Sequence, residues 1–288
     1  MRKIYLQFKN QLAKLANAYE NINLSLRRSR LKKKLNLNGK GDLQIFAHRG
    51  SKSNRPENTL AAFEEAVRVG ADGIELDVHM TRDGEIVIIH DESIDRTSNG
   101  HGFVRNLTLR EIQKFDAGSW FDKKYKNEKI PSLKEVLELL KELDFKGILN
   151  IEIKTDKYYY PGIEGKVSEL MLKENYPFSH IYCSFNYKSL EKLHDLEPDT
   201  ELAYLAKNEK DRIIRGLDSP FANSLHPRID WLYKNIDKLD KSEKFFRFWT
   251  INNDLDIKIA LSSPNVLGIM TDYPERAVKI RNEYKKES

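Results

Sequence analysis

From residue 43 onward the chain alternates short apolar runs with amphipathic stretches, and that alternation narrows the fold more than any other property of the sequence. The runs fall at 43–48 (LQIFAH), 73–80 (GIELDVHM), 85–91 (EIVIIHD), 147–154 (GILNIEIK), 180–185 (HIYCSF), 200–206 (TELAYLA), 245–251 (FFRFWTI) and 266–272 (VLGIMTD), with a weaker one near 221–225. Strands that are apolar on both faces belong to a parallel sheet covered on both sides. Helices are predicted at 58–69, ending at Gly70, and at 131–143, which opens on Pro131 and carries leucines at helical spacing. About eight such strands in roughly 245 residues fit a closed α/β architecture, the (β/α)8 TIM barrel, better than a doubly wound sheet. No Gly-rich dinucleotide or phosphate-loop fingerprint follows any strand, which counts against nucleotide binding. A polar, Gly-containing stretch at about 92–130 interrupts this rhythm after the third strand.

Charge divides the chain into two regions, 1–40 and 41–288. Residues 1–40 hold eleven Lys and Arg against the single acid Glu20, a net +10. With +5 for the whole chain, the other 248 residues carry −5, so the basic character belongs to an N-terminal extension. A body of that sign offers no excess of phosphate-neutralising charge, and no nucleic-acid partner is expected. Ile4, Phe8, Leu12, Leu15 and Tyr19 recur at helical spacing, followed by a basic run from Arg27 to Lys34. Two readings stand for this extension: an accessory helix with a solvated linker, or an amphipathic segment in peripheral contact with anionic membrane. Lys9 and Lys14 interrupt every stretch apolar enough for a secretory signal. No run approaches the roughly 20 apolar residues of a transmembrane helix. The expectation is a cytoplasmic protein, peripheral at a membrane surface under the second reading. The single cysteine, Cys183, excludes an intrachain disulfide framework and reads as a small buried apolar residue.

In a barrel of this kind chemistry gathers at the C-terminal ends of the strands, and ionisable residues recur there. His48 and Arg49 end the first strand, and His90 and Asp91 the third. Glu75 and Asp77 lie two apart, so strand periodicity turns both carboxylates to one face. Glu152 and Lys154 share a face in the same way, and Asp272 ends the last strand. Three inward carboxylates are costly to hold together without a cation. An all-oxygen set suits one divalent metal ion, Mg²⁺ or Ca²⁺ with Mn²⁺ as a further choice, more than Zn²⁺. With two histidines to move protons and Arg49 and Lys154 to hold anionic oxygens, the set predicts metal-assisted phosphoester chemistry. Each residue alone has a plainer reading, a hydrogen-bonded histidine or a Lys–Glu pair.

The block 47–100 also resembles the glycerophosphodiester phosphodiesterase family. The likeness rests on HRG at 48–50, PENT at 56–59, GIELDV at 73–78, T-x-DG at 81–84, HD at 90–91 and RT-x-NG at 96–100. It continues through NIEIK (150–154), CSF (183–185), FWTIN (248–252) and MTDYP (270–274), spanning about 43–276 and leaving out the basic extension. The resemblance implies a TIM barrel that hydrolyses glycerophosphodiesters to glycerol 3-phosphate and an alcohol with a divalent metal. It implies His48 and His90 as the acid/base pair and Glu75, Asp77 and Glu152 as metal ligands. Arg49 and Lys154 become phosphate contacts, with Glu152 also at the substrate. Glu57 and Asn58 of PENT would brace Arg49 or the metal shell, and 92–130 would be the family's small insertion after the third strand, capping the mouth within reach of the substrate. Trp249, at a strand end, either stacks on glycerol or a headgroup or packs in the core.

Other residues carry plainer expectations. His79 shares strand parity with Glu75 and Asp77 but is read as a rim residue more than a ligand. His226, after a weak strand, is read as a surface residue more than one lining the mouth, His101 as a loop residue, and His180 and His194 as structural. Competing functions are a lysophospholipase D or sphingomyelinase D-like enzyme on acylated substrates, mildly favoured by the basic extension, and a catalytically silent headgroup-binding barrel. The intact PENT motif favours the deacylated substrate, and the complete set of histidines and carboxylates disfavours the silent barrel. Headgroup, preferred metal and oligomeric state are not fixed by these features.

Overall fold

The computed structural model describes residues 43–236, 239, 242–263 and 265–287. The basic extension, 1–40, and both readings of it lie outside the described residues. Strands β1 (Gln44–His48), β2 (Gly73–Met80), β4 (Ile148–Ile153), β5 (Ser179–Ser184), β6 (Glu201–Ala206), β7 (Ser224–Pro227), β8 (Phe245–Phe248) and β9 (Val266–Thr271) pair in parallel, and β1 closes the ring between β9 and β2. This is the expected eight-stranded parallel barrel with helices between its strands.

The remaining strand, β3 (Ile86–Ile88), departs from expectation. It runs antiparallel to β2 and outside the ring, with Val78 facing Ile88 and Met80 facing Ile86. The reason is connection length: residues 81–85 form a tight turn, Thr81 N donating to the Glu85 carbonyl at 2.9 Å, whereas a parallel neighbour needs a crossover of about a dozen residues. The consequence is functional geometry. β2 rises past the barrel rim, and β3 returns the chain so that Ile89 N donates to the Asp77 carbonyl at 3.0 Å. His90 therefore reaches the mouth from above and not as the end of a barrel strand.

The helices follow from capping and periodicity. Helix α1 (Leu60–Arg68) starts at Thr59, whose side chain accepts from Ala62 N. A second helix, α2 (Leu109–Ile112), is one turn long within the segment 89–131, which folds around its own small apolar cluster including Ile94, Val104 and Ile112. Helix α3 (Leu133–Glu142) starts with a reciprocal capping box between Ser132 and Glu135. Its Leu133, Val136, Leu137 and Leu140 recur at the helical period and are buried against the barrel. The outer ring continues with α4 (Ile163–Leu172), α5 (Tyr187–Leu196), α6 (Lys210–Leu217), α7 (Ile229–Asn235), α8 (Asp254–Leu261) and α9 (Pro274–Glu287).

Inside the ring the N-terminal end is plugged. Arg247 is 1 % exposed, and its guanidinium donates to Glu201, to Gln44 Oε1 at 3.0 Å and to Ser224 Oγ at 3.3 Å. It also sits 5.5 Å from the centre of the Phe46 ring. A charge buried this deeply is tolerable only with such partners. Above this floor, Phe46, Ile181 and Met270 pack as an apolar layer. The seventh strand was expected near 221–225 and lies at Ser224–Pro227, because inward-facing Ser224 and His226 interrupt the apolar pattern.

Candidate active site

The strand β1 ends in a tight turn, Arg49 at φ 59° and Gly50 at φ 79°. A side chain on Gly50 would meet the Ala62 backbone at 2.7 Å, so only glycine lets α1 approach this closely. Asn58 is also left-handed, at φ 56°, and its N–H donates to the Arg49 carbonyl at 3.0 Å. Both strained residues grip the same carboxylate. Asn58 Nδ2 donates to Asp77 Oδ2 at 2.9 Å, and Arg49 Nε lies 3.4 Å from it. Left-handed non-glycine residues cost on the order of 1–3 kcal/mol each and persist where the surroundings enforce them.

Glu75, Asp77 and Glu152 converge at the mouth, each offering an oxygen within 4.8 Å of the others. Register brings them together, Asp77 standing opposite Glu152 across the β2–β4 pair. All three are buried. Lys154 Nζ donates to Glu152 Oε1 at 2.8 Å and lies 3.5 Å from Asp77 Oδ1. Burial, then the charges of Asp77 and Glu152, push the Glu75 carboxyl well above the usual range. Burial likewise raises Glu152, with the Asp77 charge adding to it and Lys154 opposing. Asp77 is the exception: burial opposes ionisation, but Lys154 and Arg49 outweigh it and hold the group far below the carboxylate range.

This donor set fits a hard divalent cation. Asp77 Oδ1 is buried and accepts no hydrogen bond, and burial and the neighbouring carboxylates disfavour ionisation of two of the three carboxyls. A cation bound by oxygen ligands meets both conditions.

Two histidines flank the trio, each with a carboxylate on Nδ1. His48 Nδ1 lies 2.6 Å from Asp272 Oδ1, and His90 Nδ1 lies 2.7 Å from Asp91 Oδ1. A carboxylate can only accept, so each ring carries its hydrogen on Nδ1 and leaves the lone pair on Nε2 when neutral. Burial, and then Arg49, lower His48 below the ordinary imidazole value, with Asp272 opposing. The braces are braced in turn. Asn252 Nδ2 donates to Asp272 Oδ2 at 2.9 Å, and Lys52 Nζ lies 3.3 Å from Oδ1. Arg96 clamps Asp91 and also donates to both oxygens of Glu57, which accepts from Arg49 Nη1 at 2.9 Å. Burial would raise Glu57, but the hydrogen bonds and charges of Arg96 and Arg49 lower it. One chain of charges thus joins His90 to Arg49.

A cavity of about 240 Å³ holds these groups. His48, Arg49, Glu75, His90, Glu152, Lys154 and Trp249 all line it. Trp249 packs on the inner layer and also lines the cavity: one edge meets Phe185 at 5.8 Å between ring centres, and its indole N–H donates to the His226 carbonyl at 2.7 Å. Glu57 and Asn58 stand behind the wall, on Arg49 and Asp77 respectively.

Of the remaining histidines, His226 differs from the surface position expected of it. It is fully buried, inward on β7, with neither ring nitrogen hydrogen-bonded, and burial and then Arg247 push it well below the ordinary value. His79 is buried and stands apart from the carboxylate trio. His180 Nε2 bonds Glu197 Oε2 at 2.9 Å, His194 stacks on Phe221, and His101 is exposed in its loop. The bracing by Asp91, Arg96 and Asp272 went unassigned in the sequence, although HD at 90–91, RT at 96–97 and TD at 271–272 were its visible traces.

Barrel and mouth together define a (β/α)8 enzyme with an acidic, histidine-flanked pocket at the C-terminal ends of its strands. The model of the glycerophosphoryl diester phosphodiesterase family matches residues 48–276. A glycerophosphodiester phosphodiesterase of Caldanaerobacter subterraneus subsp. tengcongensis is 40% identical over 244 residues, covering 82% of this chain and 96% of that one. One of Bacillus altitudinis is 41% identical over 245 residues, covering 84% and 99%. Among solved structures, an Oleispira antarctica phosphodiesterase in complex with the product sn-glycerol-3-phosphate superposes with a TM-score of 0.74 at 29% identity, covering 83% of this chain and 96% of that one. The chain belongs to the glycerophosphoryl diester phosphodiesterase family.

Proposed function

We propose that the protein hydrolyses glycerophosphodiesters to sn-glycerol 3-phosphate and an alcohol, with one divalent metal ion, Mg²⁺ or Ca²⁺ with Mn²⁺ as a further choice. The observation that carries the reading is the convergence of Glu75, Asp77 and Glu152 between two carboxylate-braced histidines. The relatives' names and the product held by the Oleispira antarctica enzyme support the substrate class.

Glu75, Asp77 and Glu152 would hold the metal, which when bound supplies positive charge to the phosphoryl oxygens. Arg49 and Lys154 add fixed cations at the same place, and buried donors aimed at developing charge are the strongest contribution such a site makes. One of His48 and His90 takes the proton from the attacking oxygen, while the other gives a proton to the departing alkoxide. The bond from phosphorus to the alcohol breaks as the bond to the incoming oxygen forms. Their Nδ1 braces keep both Nε2 atoms available for that exchange. Trp249 presents an apolar face to the glycerol or the headgroup.

The test is release of glycerol 3-phosphate from glycerophosphocholine and glycerophosphoethanolamine with Mg²⁺, Ca²⁺ or EDTA, for the native chain and His90→Ala. Metal-dependent release that collapses in the variant supports the reading. Release that survives EDTA, or a fully active variant, overturns the assigned roles. Silence on both substrates overturns the substrate class.

A further inference from the structure

Two buried imidazoles, His226 and His79, take no part in the chemistry above. The second touches it. His79 Nε2 lies 3.2 Å from the backbone carbonyl of His90, and Nδ1 lies 2.9 Å from the Tyr160 hydroxyl. A carbonyl can only accept, so Nε2 carries the hydrogen, and in the neutral ring Nδ1 accepts from Tyr160. The ring meets that of Tyr160 edge-on, 5.5 Å between centres.

These bonds join two loops that both reach the cavity. Tyr160 belongs to the segment after β4, whose Asp156 and Lys157 line the mouth beside His90. The same segment is tied to the region after β3 twice more. Lys157 pairs with Glu92 at 2.8 Å, and Arg105 stacks 4.0 Å over the Tyr158 ring. The last backbone bond to β2 is that of Ile89 N to the Asp77 carbonyl, so beyond it the placement of His90 rests on side-chain contacts such as these.

We propose that His79 is a positioning residue: it fixes the His90 backbone and couples it to the loop carrying Asp156 and Lys157. A substrate alcohol that engages that loop then also settles His90. The inference rests on the reading of His90 as a proton-transfer group. A ring displaced by about 1 Å loses much of its catalytic contribution while the carboxylate trio and the phosphate contacts stay in place. The effect therefore belongs in kcat.

The experiment is a double-mutant cycle on the full chain, His79→Phe, His79→Gln and Tyr160→Phe, each alone and with His90→Ala. The readouts are kcat and KM for glycerophosphocholine, and Mn²⁺ affinity. The expected result for His79→Phe is a kcat lower by about 10–100-fold with KM and Mn²⁺ affinity within twofold. Glutamine, which can donate to the carbonyl and accept from Tyr160, recovers most of the loss. In the His90→Ala background His79→Phe has less than a twofold further effect. Equal losses in both backgrounds, or an unchanged kcat, overturn the proposal. Should His79→Phe fail to fold, Tyr160→Phe carries the same test, with a kcat loss that disappears beside His90→Ala. A fully active His90→Ala instead removes the underlying role of His90, a failure visible before His79 is changed.

Discussion

Replacing Asp272 with asparagine changes one atom in kind and sets a definite trap for His48. The neighbouring Asn252 is held in one orientation, because its Oδ1 accepts from Asp272 N at 2.9 Å and from Thr271 Oγ1 at 3.2 Å. Its Nδ2 must therefore point at residue 272, where it donates to Oδ2 at 2.9 Å. An asparagine that keeps the Asn252 bond turns its oxygen toward Asn252 and its NH₂ toward His48 Nδ1, now 2.6 Å from a carboxylate oxygen. The partly exposed Lys52 side chain, 3.3 Å from that same oxygen, then swings into solvent. Nδ1 becomes an acceptor, the ring hydrogen moves to Nε2, and the lone pair leaves the cavity side. General acid–base catalysis contributes about 10²–10⁴-fold, so kcat should fall within that range, about 3–5 kcal/mol of barrier. Alanine imposes no donor and leaves the tautomer free. Its loss should be smaller, on the order of 10–100-fold, as for a lost orienting partner. Steady-state kcat on glycerophosphocholine at saturating metal ranks the two variants, and ¹⁵N spectra of His48 report the tautomer. Asparagine as active as alanine or more so, or within threefold of the native chain, would refute the reasoning.

Divalent metal at a hundredfold its Kd should stabilise the fold by about 2.7 kcal/mol, about 5–10 °C in Tm for a domain of this size, checked by calorimetry with and without EDTA. Glu75→Gln removes one charge from a trio that burial and its neighbours already disfavour, so metal-free Tm should rise while Mn²⁺ affinity falls at least tenfold, about 1.4 kcal/mol. Gly50→Ala combines a left-handed φ of 79° with a 2.7 Å clash on Ala62, and urea unfolding should show a loss of about 2–5 kcal/mol. Glu197 is held at about 2 by His180, Tyr182 and Ser168, although burial raises it. A pKa lowered on folding stabilises above the unfolded value of about 4.5 and is lost as pH falls toward 2. Glu197→Gln, costing about 1–3 kcal/mol near neutrality, should flatten the fall in Tm over that acid range, and an unchanged slope would contradict it.

Where the sequence spoke clearly, the information was local. The period of two put Glu75 beside Asp77 and Glu152 beside Lys154, and β4 stands next to β2 with Asp77 opposite Glu152. Apolar runs marked the buried strands for the same reason, since both faces are covered. What stayed hidden lies in contacts distant along the chain. His48 and Asp272 are 224 residues apart and Glu57 and Arg96 are 39 apart, and no periodicity relates them. The antiparallel turn of β3 was readable in principle from its short connection, but the apolar run at 85–91 looked like another barrel strand. His226 was misplaced because a histidine facing into a barrel breaks the pattern by which its strand is found.

The plug of Arg247, Glu201, Gln44 and Ser224 has a kinetic consequence. It fills the N-terminal end of the barrel, so among the described residues the pocket opens toward the C-terminal mouth. Substrate enters and both products leave past the same rim of His90, Lys157 and Trp249. A shared mouth predicts ordered departure, with the deeper-lying product second. The later one leaves the free enzyme behind it, so that product alone should compete with incoming substrate.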